Sequence, residues 1–216
     1  MMYLLIIYIT MLADIGMTVG ISLIHGGMSL AYAIISPLFV LAYVLVLLGL
    51  LDLVLRIFPK SMYNYKSKFY VASKREIRFY EKIGIRKWKD LVPELGATGG
   101  FSKRNIKSLE PTYIKRFLYE TCFAEILHLL AALLGFTALF FFPPHHYYFV
   151  LPIVIVNFIL NLLPCLIQRY NRRKLATLYY FLTRKEKRTS VETVNSEQGE
   201  VVVLKEDEDY IQKGKI

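Results

Sequence analysis

Between residues 120 and 128, two carboxylates and an imidazole fall at helical spacing: Glu120, Glu125 and His128. Residues three apart on a helix are neighbours on one side, so Glu125 can reach His128, and Glu120, two turns before the histidine, can share that side. A carboxylate beside an imidazole fixes its tautomer and raises its basicity. Such a histidine can take a proton from an alcohol that attacks an activated acyl group, which is the ordinary requirement of acyl transfer. Two other readings fit the same spacing. Helical metal sites use Glu-x-x-His pairs, but they need comparable ligands from other helices, and none is evident, so no metal site is assigned. A purely structural Glu–His hydrogen bond is the other.

A second polar set, Gln168, Arg169, Asn171 and Arg172, closes a long apolar stretch. Arg169 and Arg172 offer planar donors for phosphate or carboxylate, while Gln168 and Asn171 can orient a sugar hydroxyl or a carbonyl. The glycine-rich stretch 96–104 adds Lys103 and Arg104 beside bare backbone amides that can hold an anion. It lacks the GKS/T ending of a P-loop, and a flexible turn is its other reading.

The elements that must position these groups are apolar. Of 216 residues 55% are hydrophobic, and they cluster, which predicts an all-α, polytopic integral membrane protein. Four transmembrane helices are expected over about 3–24, 30–58, 119–142 and 149–167. The second is longer than the roughly 20 residues that cross hydrocarbon and must tilt, bend at Pro37 or project, and Pro59 stops it. Asp52 and Arg56, spaced i,i+4, can pair at its end. Pro111 reads as the first turn of the third helix. Asp14 is an intramembrane carboxyl with no partner nameable from sequence.

Charge sets the orientation. Residues 60–116 contain 15 Lys or Arg against 5 Asp or Glu, so 59–118 reads as a basic cytoplasmic loop, with both chain ends on the same side. Its interleaved Phe69, Tyr70, Phe79, Tyr80, Ile83, Ile85 and Trp88 suit an amphipathic helix lying on the membrane surface. A solvated charged face is the plainer reading. The formal charge of +10 lies beside hydrophobic spans and no nucleic-acid-reading motif accompanies it, so lipid head groups and substrate phosphates are the expected partners rather than nucleic acid. Residues 1–188 form the expected membrane domain. The segment 189–216, with 7 acids against 3 lysines, reads as an acidic, disordered tail with little to pack. Cys122 and Cys165 lack CxxC spacing and read as packing residues. His145 and His146, followed by Tyr147 and Tyr148, read as residues of the far interface.

The pattern E-T-x-x-A-E-x-x-H at Glu120, Thr121, Ala124, Glu125 and His128, joined with Asn161, Pro164 and the Q-R-Y-N-R run at 168–172, resembles the glycosyl-4,4'-diaponeurosporenoate acyltransferase family of bacteria. Trp88, Lys89 and the G-G-F-S-K-R stretch at 99–104 are compatible with its loop. The resemblance implies a multi-pass enzyme of a bacterial-type cell membrane that esterifies a sugar hydroxyl of a glycolipid or glycosyl carotenoid with a fatty acyl group, a membrane-bound O-acyltransferase-type reaction. No bound cofactor is expected; an acyl thioester of coenzyme A or acyl carrier protein would be the co-substrate. On this reading His128 is the general base, Glu125 its orienting carboxylate and Glu120 an accessory polar group. Arg169, Arg172, Lys103 and Arg104 bind anionic parts of the donor, and Gln168 and Asn171 position the acceptor. A noncatalytic lipid-binding or partner-organising subunit is the alternative.

Overall fold

The computed structural model describes residues 2–25, 29–92, 106 and 108–198, and these form helices and short connections without a strand among them. In chain order the helices are α1 (Met2–His25), α2 (Leu30–Ile57), α3 (Lys74–Lys82), α4 (Ile85–Trp88), α5 (Pro111–Leu134) and α6 (Tyr147–Gln198). Three segments are long and apolar enough to cross a membrane, Ala31–Ile57, Pro111–Phe141 and Val150–Ser190, and Tyr8–Ile24 is a shorter apolar helix. Large side chains such as Leu12, Leu45, Ile57 and Phe140 point outward, as they must where the surroundings are lipid.

The helix limits follow local chemistry. Ser29 caps α2 by accepting from the Tyr32 amide, and the helix ends just before Pro59, which can neither donate to nor fit another turn. Pro111 opens α5, where its missing N–H costs nothing. After Leu134 the chain tightens into a 3₁₀ stretch, Gly135–Phe141, and stops at Pro143 and Pro144. The Asp52–Arg56 pair forms at 2.9 Å, as its spacing requires.

The fourth apolar stretch behaves differently from the expected span of 149–167. It is the first part of a 52-residue helix that runs on to Gln198, so the tail expected to be disordered from 189 is helical as far as Gln198. At 1.5 Å per residue α6 is about 78 Å long, far more than hydrocarbon thickness, so a large part projects beyond any bilayer. No glycine or proline lies between Cys165 and Gln198 to end it.

The basic segment also folds more tightly than a helix resting on lipid. Ser73 and Glu76 form a reciprocal capping box that starts α3. The apolar face so presented, Ile77 and Tyr80, closes with Ile85 on Ile167 and Tyr170 of α6. Phe69, Phe79 and Ile83 stay exposed. Farther along the bundle, Tyr70, Cys122 and Phe123 share a core with Leu55 and Tyr63, and the Tyr63 hydroxyl donates to Leu55 O at 2.6 Å. At the opposite end Val40 packs with Ala138, Phe142 and Val154, flanked by a Tyr43–Thr137 hydroxyl contact and a 2.9 Å bond between Tyr32 Oη and His146 Nδ1.

Candidate active site

The expected two-helix site is an antiparallel seam between α5 and α6, and a ladder of polar contacts runs its length. On α5 the residues facing the seam are Thr121, Glu125 and His128; on α6 they are Asn161, Cys165, Arg169 and Arg172. Spacings of three and four on both helices put each set on one side, so once two contacts form the others fall into register.

Glu125 is the centre of the charged part. It is only 3% exposed. Its Oε1 accepts from Arg169 Nη1 at 2.6 Å and its Oε2 lies 2.5 Å from Arg172 Nη2. Arg172, also buried, donates through Nε to Thr121 Oγ1 at 3.0 Å, through Nη2 to Thr121 O at 2.8 Å and through Nη1 to Tyr70 O at 2.9 Å, with its guanidinium 5.2 Å from the centre of the Tyr70 ring. Arg169 reaches away from the seam to Glu76 at 2.5 Å and to Phe69 O at 2.9 Å. Glu76, Arg169, Glu125 and Arg172 thus form one chain of alternating charge that ties α3, α5 and α6 together. Burial raises the Glu76 carboxyl, but the hydrogen bonds from Arg169 and Tyr80 outweigh it and hold the group below its usual range. The Tyr80 hydroxyl is pushed up by burial and by its bond to the Glu76 carboxylate.

His128 sits at the next rung, half-buried, its Nδ1 2.9 Å from Asn161 Oδ1. Asn161 Nδ2 donates to Asn157 O and Oδ1, both at 3.0 Å, and Asn157 Nδ2 donates to Ala131 O at 3.2 Å. Because the amide nitrogen of Asn161 is engaged by Asn157, its oxygen faces the imidazole, and an oxygen can only accept. Nδ1 therefore carries the hydrogen and Nε2 the lone pair in the neutral ring. Beyond this rung the helices come close enough that a Cβ on Gly135 would stand 2.2 Å from Asn157 Nδ2.

The structure brings together most of the expected set but pairs it differently. His128 and Glu125 occupy the same helix face, yet an amide, Asn161, holds the imidazole at Nδ1 where a carboxylate was expected, and the Glu125 oxygens face two guanidiniums. Opposite charge outcompetes a neutral ring for a buried carboxylate. Arg169 and Arg172, expected to hold an anionic ligand, spend these donors on the protein itself. Glu120 is half-buried at the edge of the seam, within electrostatic reach of Arg56 on α2. Gln168 is buried, and its Oε1 has no hydrogen-bond partner among the described residues. Asn171 is half-buried. Lys103 and Arg104, with the glycine-rich stretch around them, lie outside the described residues. Asn157 and Glu76 were missed. Two asparagines one turn apart in an apolar span were a legible signal for the first; nothing in the sequence links Glu76 to an arginine 93 positions away.

A protein-family model described as glycosyl-4,4'-diaponeurosporenoate acyltransferase matches residues 59–180, more than half of the chain and all of this seam from Thr121 to Arg172. No curated protein and no solved structure matches the sequence.

Proposed function

Because the chain belongs to the glycosyl-4,4'-diaponeurosporenoate acyltransferase family, we propose that it esterifies a sugar hydroxyl of a glycosyl carotenoid or related glycolipid, with His128 as general base. The observation that carries this role is the Asn157–Asn161–His128 relay, which presents Nε2 as the basic nitrogen. As the hydroxyl oxygen attacks the carbonyl carbon of an acyl thioester, Nε2 takes the hydroxyl proton. The tetrahedral centre then collapses, the C–S bond breaks and the departing sulfur receives that proton from the imidazolium. Two products leave, the ester and the free thiol.

Glu125 is a positioning residue in this scheme. Clamped by Arg169 and Arg172, it fixes the register of α5 against α6 and thereby the facing of His128 and Asn161. We place α1 in the membrane as a fourth span beside the three longer segments. The basic segment and both chain ends then face the cytoplasm of a bacterial-type cell.

The test uses purified protein in lipid nanodiscs, labelled acyl-CoA and a glycosyl carotenoid. His128→Ala should lower transfer by about 10²- to 10⁴-fold, the usual worth of a general base, with thermal unfolding unchanged. Undiminished transfer would remove His128 from the mechanism. A wild-type protein that forms no labelled ester from the supplied thioester would remove the reaction itself.

A further inference from the structure

Beside the seam, α3, α4 and α6 enclose a cleft of about 630 Å³. Its walls carry Lys74, Arg78, Arg86, Arg173 and Lys174 against a single carboxylate, Glu81. Ile77 and Tyr170, both buried, also line it. Arg86 is braced, with Nε donating to Tyr170 Oη at 2.9 Å and Nη2 to Glu81 at 2.6 Å. Lys174 lies over the Tyr170 ring at 5.2 Å. Lys74, Arg78 and Arg173 pair with no carboxylate among the described residues. Like charges gathered around a concave surface repel one another, and the arrangement is relieved by an anion placed among them.

We propose that this cleft is a phosphate-binding site at the membrane–water boundary. The size suits a small ligand head, and the donors surround it from three helices rather than lying along one solvated face. Its position on α6 follows directly after the apolar stretch, and Phe79 and Ile83 stand exposed on the neighbouring α3 side. Basic pockets in such places hold lipid phosphates. Lys174 and Thr177 turn away from the α6 face that carries Asn161 and Arg172, and Arg173 lies one turn past Arg169 at its edge, so the site anchors a ligand beside the seam and does not need His128. Two sources carry the same chemistry: the head group of an anionic phospholipid and the phosphates of a coenzyme A thioester.

The experiment compares the full chain in neutral detergent with the double variant Arg78→Glu/Arg173→Glu, using native mass spectrometry and calorimetry. The probes are coenzyme A, phosphatidylglycerol and, as the uncharged reference, phosphatidylcholine. Each interfacial cation is worth about 1 kcal/mol, about fivefold, so the reversal should weaken the anionic probe that uses the cleft by roughly 25-fold or more and leave phosphatidylcholine unaffected. Added salt should weaken the same probe in the wild type. Loss confined to phosphatidylglycerol assigns a lipid head group; loss of coenzyme A assigns the donor. Equal binding by wild type and variant, or no anionic probe bound by the wild type, overturns the site. Should the reversal unfold the chain, Arg78→Gln/Arg173→Gln reads the same outcomes with a smaller loss. His128→Ala retains binding if the cleft is independent of the acyl-transfer reading, so failure of one does not obscure the other.

Discussion

Two carboxyl groups are buried to nearly the same degree, Glu125 on α5 and Asp14 on α1, at 3% and 2% exposure, and their surroundings are opposite. Glu125 faces two guanidiniums that are themselves tied to Thr121, Tyr70, Phe69 and Glu76. Neither oxygen of Asp14 has a hydrogen-bond partner among the described residues; the nearby Thr18 hydroxyl donates instead to the Asp14 backbone carbonyl at 2.6 Å. Burial alone therefore says little about what a buried acid does. An acid built into a charge network fixes helix register, whereas one without donors contributes no specific contact and loses little when its charge is removed.

The strongest way to break this contrast is at Glu125. Glu125→Ala leaves the buried Arg172 guanidinium without a counter-charge, while Arg169 keeps Glu76, and should cost about 3–5 kcal/mol, with transfer lost as the helices shift. Because the cost comes from the orphaned charge, the double variant Glu125→Leu/Arg172→Met should be more stable than Glu125→Ala, as measured by thermal unfolding in nanodiscs. A double variant no better than the single one would mean that the pair is not acting as a unit.

Gly135 tests whether the seam's register depends on close approach as well as charge. Gly135→Ala should cost about 1–3 kcal/mol through the clash with Asn157 Nδ2, and adding Asn157→Ala should recover part of it. Independent, additive losses in the unfolding temperatures would dissociate the two residues. The outer link, Glu76, gives a pH signature. Its folded-state carboxyl lies below its ordinary value of 4.5, so the stability it adds is complete above that pH and is lost as the pH falls through the depressed folded value. Glu76→Gln should flatten the acid limb of the stability curve relative to wild type. The smallest effect belongs to the other side of the comparison: Asp14→Asn should change stability by no more than about 0.5–1 kcal/mol and leave transfer rates alone. A large loss there would reveal a partner for Asp14 and erase the distinction.

Much of the site was legible from residue order because helical periodicity is local. Glu125 and His128 had to share a face if the stretch was helical, and Gln168 to Arg172 had to lie past the next apolar stretch. Pro59 and Pro111 marked real helix limits because a missing N–H acts within one turn. The length of α6 was harder to read, since the end of hydrophobicity at 167 is not an end of helicity. Good helix formers continue without a breaker, and composition reports solvent preference rather than backbone state.

What the sequence by itself determined is the helical class, the apolar segments and the family of acyltransferases to which the chain belongs. Only the tertiary structure decided the partners: that Asn161 rather than Glu125 holds the imidazole at Nδ1, and that Arg169 and Arg172 close on Glu125 and, through Arg169, on Glu76. The reason is physical. Which face a residue occupies follows from 3.6 residues per turn, but which donor a buried acid takes depends on every charge that folding carries within reach of it.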